Sequence, residues 1–232
     1  MNPQFRLYDI IRHYHRGKIM IEITDALNEL SKKRPIFHSE ADFQHALAWA
    51  IHEKYPDLNI RLENRKIFNE EKIYTDIFAF KDDNIAAIEV KYKTNNLDIA
   101  VTNEEFSLKN QSALPQGRYD FVKDISRLEK ILERYHDSAG FAILLTNDES
   151  YWKVPAGDID TVDKDFRIYD RKTIKGKLSW KDGTSKGTMR GKAEPIILKG
   201  KYILNWKDYS NLSCQKGKFR YLLVEVKCGN SV

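Results

Sequence analysis

Ile73-Tyr74-Thr75-Asp76-Ile77-Phe78-Ala79-Phe80 is followed, across Lys81-Asp82-Asp83-Asn84, by Ile85-Ala86-Ala87-Ile88-Glu89-Val90-Lys91-Tyr92. β-branched and aromatic residues fill both runs, and the polar cluster between them is turn chemistry, so this stretch predicts two antiparallel strands joined as a hairpin. Alternation along a strand sends Glu89 and Lys91 to one side and Val90 to the other. A register that brings Asp76 beside them gathers two carboxylates and an ammonium. Such a set can hold Mg²⁺ and orient a water at a phosphodiester, with the Val90 backbone carbonyl as a further candidate ligand. Lys91 as an ammonium has no lone pair to accept a proton, so the role expected of it is water positioning. The residues alone are equally compatible with a structural ion-pair arrangement.

Outward from this hairpin, helical and strand periods alternate. Ile19, Ile23, Ala26, Leu27 and Leu30 form an apolar helical stripe, and a second helix is predicted from a Ser39 cap through Phe43, Leu47 and Ile51 to Tyr55, where Pro56 favours termination. Glu40, at the start of that helix, is a candidate third acidic contact to a metal, directly or through water, with capping or solvation as the alternative. Ile60 to Glu63 reads as a short strand. Gln116 to Tyr135 reads as a helix with Phe121, Ile125, Leu128, Leu132 and Tyr135 turned inward. Lys123, Arg127, Lys130 and Arg134 recur on another face, suited to phosphates in a nucleic acid or to plain solvation. The run Phe141-Ala142-Ile143-Leu144-Leu145 reads as a buried strand reached through a helical crossover, and Phe219 to Val226 as a late strand. The expected fold class is therefore α/β, a central mixed β-sheet flanked by helices.

The 232 residues are 41% hydrophobic and 31% charged, a balance that supports one sizeable core and argues against a disordered or fibrous chain. No apolar run approaches a membrane span and the N-terminus has no secretory pattern, so neither membrane insertion nor export is expected. Cys214 and Cys228 are too few for a disulfide framework or a zinc site, which fits a reducing cytoplasm. His13 and His15 have no matching ligand set, and Trp49, Trp152, Trp180 and Trp206 read as core or interface aromatics. The net charge of +5 conceals an asymmetry: residues 171–232 hold 15 basic and 4 acidic side chains, while residues 1–170 hold 24 and 30. A converging basic surface for phosphates and an ordinary solvated face both fit that count.

Glu40, Asp76 within Ile73-Tyr74-Thr75-Asp76-Ile77, and Ile88-Glu89-Val90-Lys91 together resemble the PD-(D/E)xK nucleases, with Thr75 at the place of the proline. The resemblance covers residues 37–147. It implies a restriction-endonuclease-like core, and a metal-dependent DNA phosphodiesterase or endonuclease that uses Mg²⁺, with Mn²⁺ able to substitute. Its catalytic residues would be Glu40, Asp76, Glu89 and Lys91. Asp76, Glu89 and the Val90 carbonyl would hold the metal, and Glu40 would reach it through water. Gln111 and Gln116 make no unique match to an accessory motif. DNA is the partner implied, RNA remains open, and a homodimer would set two sites along a duplex. The alternative is a non-catalytic nucleic-acid-binding protein on the same scaffold. The domain reading is an N-terminal helical extension at 1–36, a nuclease-like core at 37–150 and a basic C-terminal extension at 151–232 that can return a strand to the core.

Overall fold

A computed structural model describes residues 21–68, 71–111, 113–135, 138–157 and 160–227 of the chain. His13, His15, Ile19 and Cys228 lie outside the described residues, so the readings placed on them stay where the sequence left them. The first helix is α1 (Ile23–Lys33), which buries Ile23, Ala26, Leu27 and Leu30. The Ser39 cap is present: its side chain accepts the Asp42 N–H at 3.1 Å, and α2 (Glu40–Lys54) runs from it.

The strands β1 (Asn59–Phe68), β2 (Glu71–Lys81) and β3 (Asn84–Lys93) form an antiparallel meander. A small hairpin of β4 (Leu97–Val101) and β5 (Glu104–Leu108) follows, with Thr102 and Asn103 at φ 50° and 66° in its two-residue turn. The chain then crosses through α3 (Leu114–Leu132) and returns as β6 (Ala139–Thr146), parallel to β3 and buried along its whole length. The C-terminal part adds β7 (Thr173–Leu178), β8 (Ile196–Ile203), β9 (Trp206–Asn211) and β10 (Lys218–Lys227). β10 pairs antiparallel with β6 and β9 lines its far edge, so the central mixed sheet has the order β1-β2-β3-β6-β10-β9. The architecture is mixed α/β with a central mixed sheet, and the described residues contain no helix long and apolar enough to cross a membrane.

One face of the sheet, through Ile77, Ile88, Val90, Tyr92, Ile143 and Leu145, packs under α1, α2 and the β4–β5 hairpin. The other, through Phe78, Ala87, Ala142, Leu144, Leu222 and Val224, packs under α3. The β7–β8 hairpin covers the opposite side of α3. Its register was hidden in a stretch that reads as weakly periodic, yet Ile196, Leu198, Gly200 and Tyr202 alternate inward. There the Glu129 carboxylate accepts the Lys199 and Gly200 N–H groups and the Tyr202 hydroxyl, the last two at 2.8 Å. The helix ends earlier than its apolar spacing suggests, at Leu132, and Arg134 and Tyr135 lie past its last turn. Trp180 and Trp206 are buried, as core aromatics should be, whereas Trp49 is 64% exposed on α2.

The C-terminal part is tied to α3 by charge as well as by apolar packing. Arg118 donates to Asp163 at 2.5 Å and to the Ser150 carbonyl at 2.6 Å, with both side chains of the pair nearly inaccessible. Removing one partner from a buried pair leaves the other charge unpaired at a cost of about 3–5 kcal/mol. Asp163→Ala is therefore expected to lower the urea unfolding free energy by about 3 kcal/mol while the transition stays single, since β9 and β10 belong to the same sheet as β2 and β3. Two separate transitions would show that the two halves fold independently.

Candidate active site

β2 and β3 stay paired from their turn only as far as Ile77 opposite Ile88. Beyond that point the two strands part, and the N–H groups of β3 that face the gap need other acceptors. Two carboxylates supply them. Asp76 Oδ2 accepts the Val90 N–H at 2.7 Å, and Glu40 Oε2, from the first turn of α2, accepts the Tyr92 N–H at 2.9 Å. Gln44 on α2 holds the opposite side of the gap, its Nε2 donating to the Asp76 carbonyl at 2.7 Å and to Glu63 Oε1 at 2.8 Å.

The expected strand alternation is present. Val90 is buried in the core beneath α2, while Glu89 and Lys91 face α3 together. Lys91 Nζ donates to the Val90 carbonyl at 3.0 Å and lies 3.2 Å from Asp124 Oδ2, 3.9 Å from Asp76 Oδ2 and 4.0 Å from Glu40 Oε1. Glu89 is 1% exposed, and neither of its carboxylate oxygens has a hydrogen-bond partner. Arg127 Nη2 stands 3.3 Å from Glu89 Oε1, while the Arg127 fork itself donates to Asp124 Oδ1 at 3.0 Å and to the Tyr74 carbonyl.

Sequence reasoning thus placed Asp76, Glu89, Lys91 and Glu40 around one gap but missed Asp124. The signal was available: Asp124 falls three residues after Phe121 and four before Leu128, on the buried stripe of α3, where a carboxylate needs a partner. Arg127, read as one of four phosphate contacts, points into this cluster instead of standing free on a basic face. Lys123 and Lys130 are half-buried on α3 and Arg134 is exposed beyond its end.

Burial, opposed by Lys91 and by the Val90 N–H, holds the Asp76 carboxyl above its usual range. Burial also pushes Asp124 up to about 6, against the pull of Lys91 and Arg127. Glu89 is raised well above the ordinary glutamate range by burial first and then by the Asp124 and Asp76 charges. Burial works against the Lys91 ammonium, but the Asp124, Asp76, Glu40 and Glu89 carboxylates outweigh it and keep the lysine protonated.

Among the described residues, no group of three or more His, Cys, Asp or Glu side chains is drawn together closely enough to hold a metal ion. The donors that face the gap are nonetheless hard oxygens: the Asp76 and Glu89 carboxylates and the Val90 carbonyl. The two unsatisfied Glu89 oxygens are the kind of buried acceptor that a cation relieves, so this set fits Mg²⁺ or Mn²⁺ in chemistry.

A carboxyl whose folded pKa is raised binds its proton more tightly in the folded chain than in the unfolded one. Stability therefore falls as pH rises from the ordinary carboxylate range through the raised value. Wild-type protein is expected to lose unfolding free energy as pH rises from about 4 to about 6, the range over which Asp124 is held protonated by the fold, with the raised Glu89 carboxyl acting in the same direction. Glu89→Gln is expected to be more stable than wild type at pH 7.5, with the gap closing as pH falls toward the ordinary carboxylate range. Urea denaturation across that pH range measures both, and a variant that is weaker at pH 7.5 would contradict the assignment of Glu89 as a costly buried anion. No protein-family model, no curated protein and no solved structure matches the chain.

Proposed function

We propose that the protein is a metal-dependent phosphodiesterase acting on DNA, an endonuclease with a restriction-endonuclease-like core. The observation that carries this reading is the gap between β2 and β3. There Asp76 of β2 and the Lys91 ammonium of β3 stand 3.9 Å apart, and Glu89, two residues before Lys91 on the same face of β3, is buried with no hydrogen bond to either carboxylate oxygen. The order of elements supports it too, because the helix bearing Glu40, the hairpin, the crossover helix and the parallel strand lie in succession along one sheet. Asp76, Glu89 and the Val90 carbonyl are the groups that would hold Mg²⁺, with Glu40 one shell further out. When bound, such an ion offsets charge on the reacting phosphate and makes its water a stronger nucleophile.

The chain's own groups do the remaining work. Asp76 and Glu40 keep β3 spaced from β2 by accepting its free N–H groups, so the gap does not close into a continuous ladder. Lys91 stays an ammonium, and with three donors it can orient a water while still bonded to protein. It cannot take that water's proton, which leaves to solvent or to the phosphate itself.

A second reading rests on the charge balance in the same cluster. Lys91 and Arg127 lie within ion-pair distance of Asp76, Asp124 and Glu89, an arrangement that a non-catalytic nucleic-acid-binding protein could keep for packing alone. The separating experiment incubates purified protein with supercoiled and linear DNA, and with RNA, in Mg²⁺ or Mn²⁺. Cleavage is expected for wild type, and Asp76→Asn, Glu89→Gln and Lys91→Met are each expected to lower its rate by about 10³-fold or more with the fold retained by circular dichroism. DNA binding without cleavage in either metal supports the second reading. Nicked or double-strand products separate action by one chain from action by a symmetric pair, and cleavage confined to RNA would overturn the choice of DNA.

A further inference from the structure

Two cationic side chains already sit on the oxygens that the metal-dependent reading assigns to the ion. Lys91 Nζ is bonded to the Val90 carbonyl, and the Arg127 guanidinium stands over Glu89. The second contact has unusual geometry. Arg127 lies 3.3 Å from Glu89 Oε1, close enough to compensate its charge, yet neither Glu89 oxygen receives a hydrogen bond. The donors of Arg127 are directed elsewhere, to Asp124 on its own helix and to the Tyr74 carbonyl of β2. Arg127 is therefore held beside Glu89 by groups other than Glu89.

We propose that Arg127, braced by Asp124 and the Tyr74 carbonyl, is a resident cation guarding Glu89, and that a divalent cation reaches the site by exchange with it. This rests on the metal-dependent reading above and adds how the site is regulated. Two features carry it. The guanidinium already stands 3.3 Å from the buried Glu89 oxygen that an incoming ion needs, so entry of the ion requires withdrawal of a like charge. Neither of its anchors is Glu89: Nη1 donates to Asp124, and Nη2, the nitrogen nearest Glu89, donates to the Tyr74 carbonyl.

The test measures Mn²⁺ binding to the full chain without nucleic acid, by the loss of the free-ion electron paramagnetic resonance signal. Arg127→Gln is expected to bind Mn²⁺ about 10-fold more tightly than wild type, and adding Glu89→Gln is expected to abolish that gain. Arg127→Lys keeps the charge but cannot span Asp124 and the Tyr74 carbonyl together, so its affinity is expected to rise by only about 3-fold. It serves as the decisive variant if Arg127→Gln does not fold. A merely structural arginine would shift the unfolding midpoint without raising Mn²⁺ affinity. Mn²⁺ binding by wild type with equal or weaker binding by the variants would overturn the guard and leave the metal-dependent reading standing. Absence of Mn²⁺ binding in wild type and variants alike would overturn both.

Discussion

The separation of β2 from β3 beyond the Ile77–Ile88 pair is the constraint on which the rest of the site depends. An antiparallel pair that ends early leaves backbone N–H groups facing a gap, and buried donors of that kind must find acceptors. Asp76 and Glu40 meet that need, one from the strand that has moved away and one from the helix packed above. Each carboxylate is thereby placed by a backbone hydrogen bond, which is stronger and more directional than a surface ion pair. The same gap opens the Val90 carbonyl to Lys91. A continuous β2–β3 ladder would have consumed these backbone groups and left nothing to organise the acids.

Around that gap the chain stores a concentration of charge that only a rigid surround can tolerate. Glu89 and Asp124 are buried on facing elements, and their carboxyls are both pushed toward the neutral form. They persist because α3 is fixed on two sides, by the central sheet beneath it and by the β7–β8 hairpin above it. Glu129 ties the hairpin to the helix through backbone N–H groups, and Arg118 ties the helix to Asp163. The C-terminal part thus reaches the site indirectly: it holds the helix that carries Asp124 and Arg127. Its excess of basic side chains is a separate property of the surface.

The fold was legible wherever a period is imposed by one-sided burial. The β2–β3 hairpin, the β6 run and the late strand β10 all lie where alternation or continuous apolarity placed them, and Ser39 caps α2 as its hydroxyl allows. Glu89 and Lys91 share a face because a strand has a period of two residues. The β7–β8 hairpin escaped because Gly200 and the lysines dilute its alternation, and because it covers a helix rather than joining the main sheet. Arg127 was misplaced for a related reason. Its spacing with Lys123, Lys130 and Arg134 describes a basic stripe, but a helix covered on both sides has no wholly solvated face, and the long Arg127 side chain turns in to meet Glu89 and Asp124.

Local pattern was enough for the α/β class, the β2–β3 hairpin and the cap of α2. These follow from local periods and turn chemistry that act over a few residues. Only the tertiary structure decided that β2 and β3 part, that Glu40 comes to Tyr92 across 52 residues and that Asp124 and Arg127 close over Glu89. Those contacts join elements far apart in the chain, and their geometry is set by how the helices and sheet pack, which no local pattern encodes.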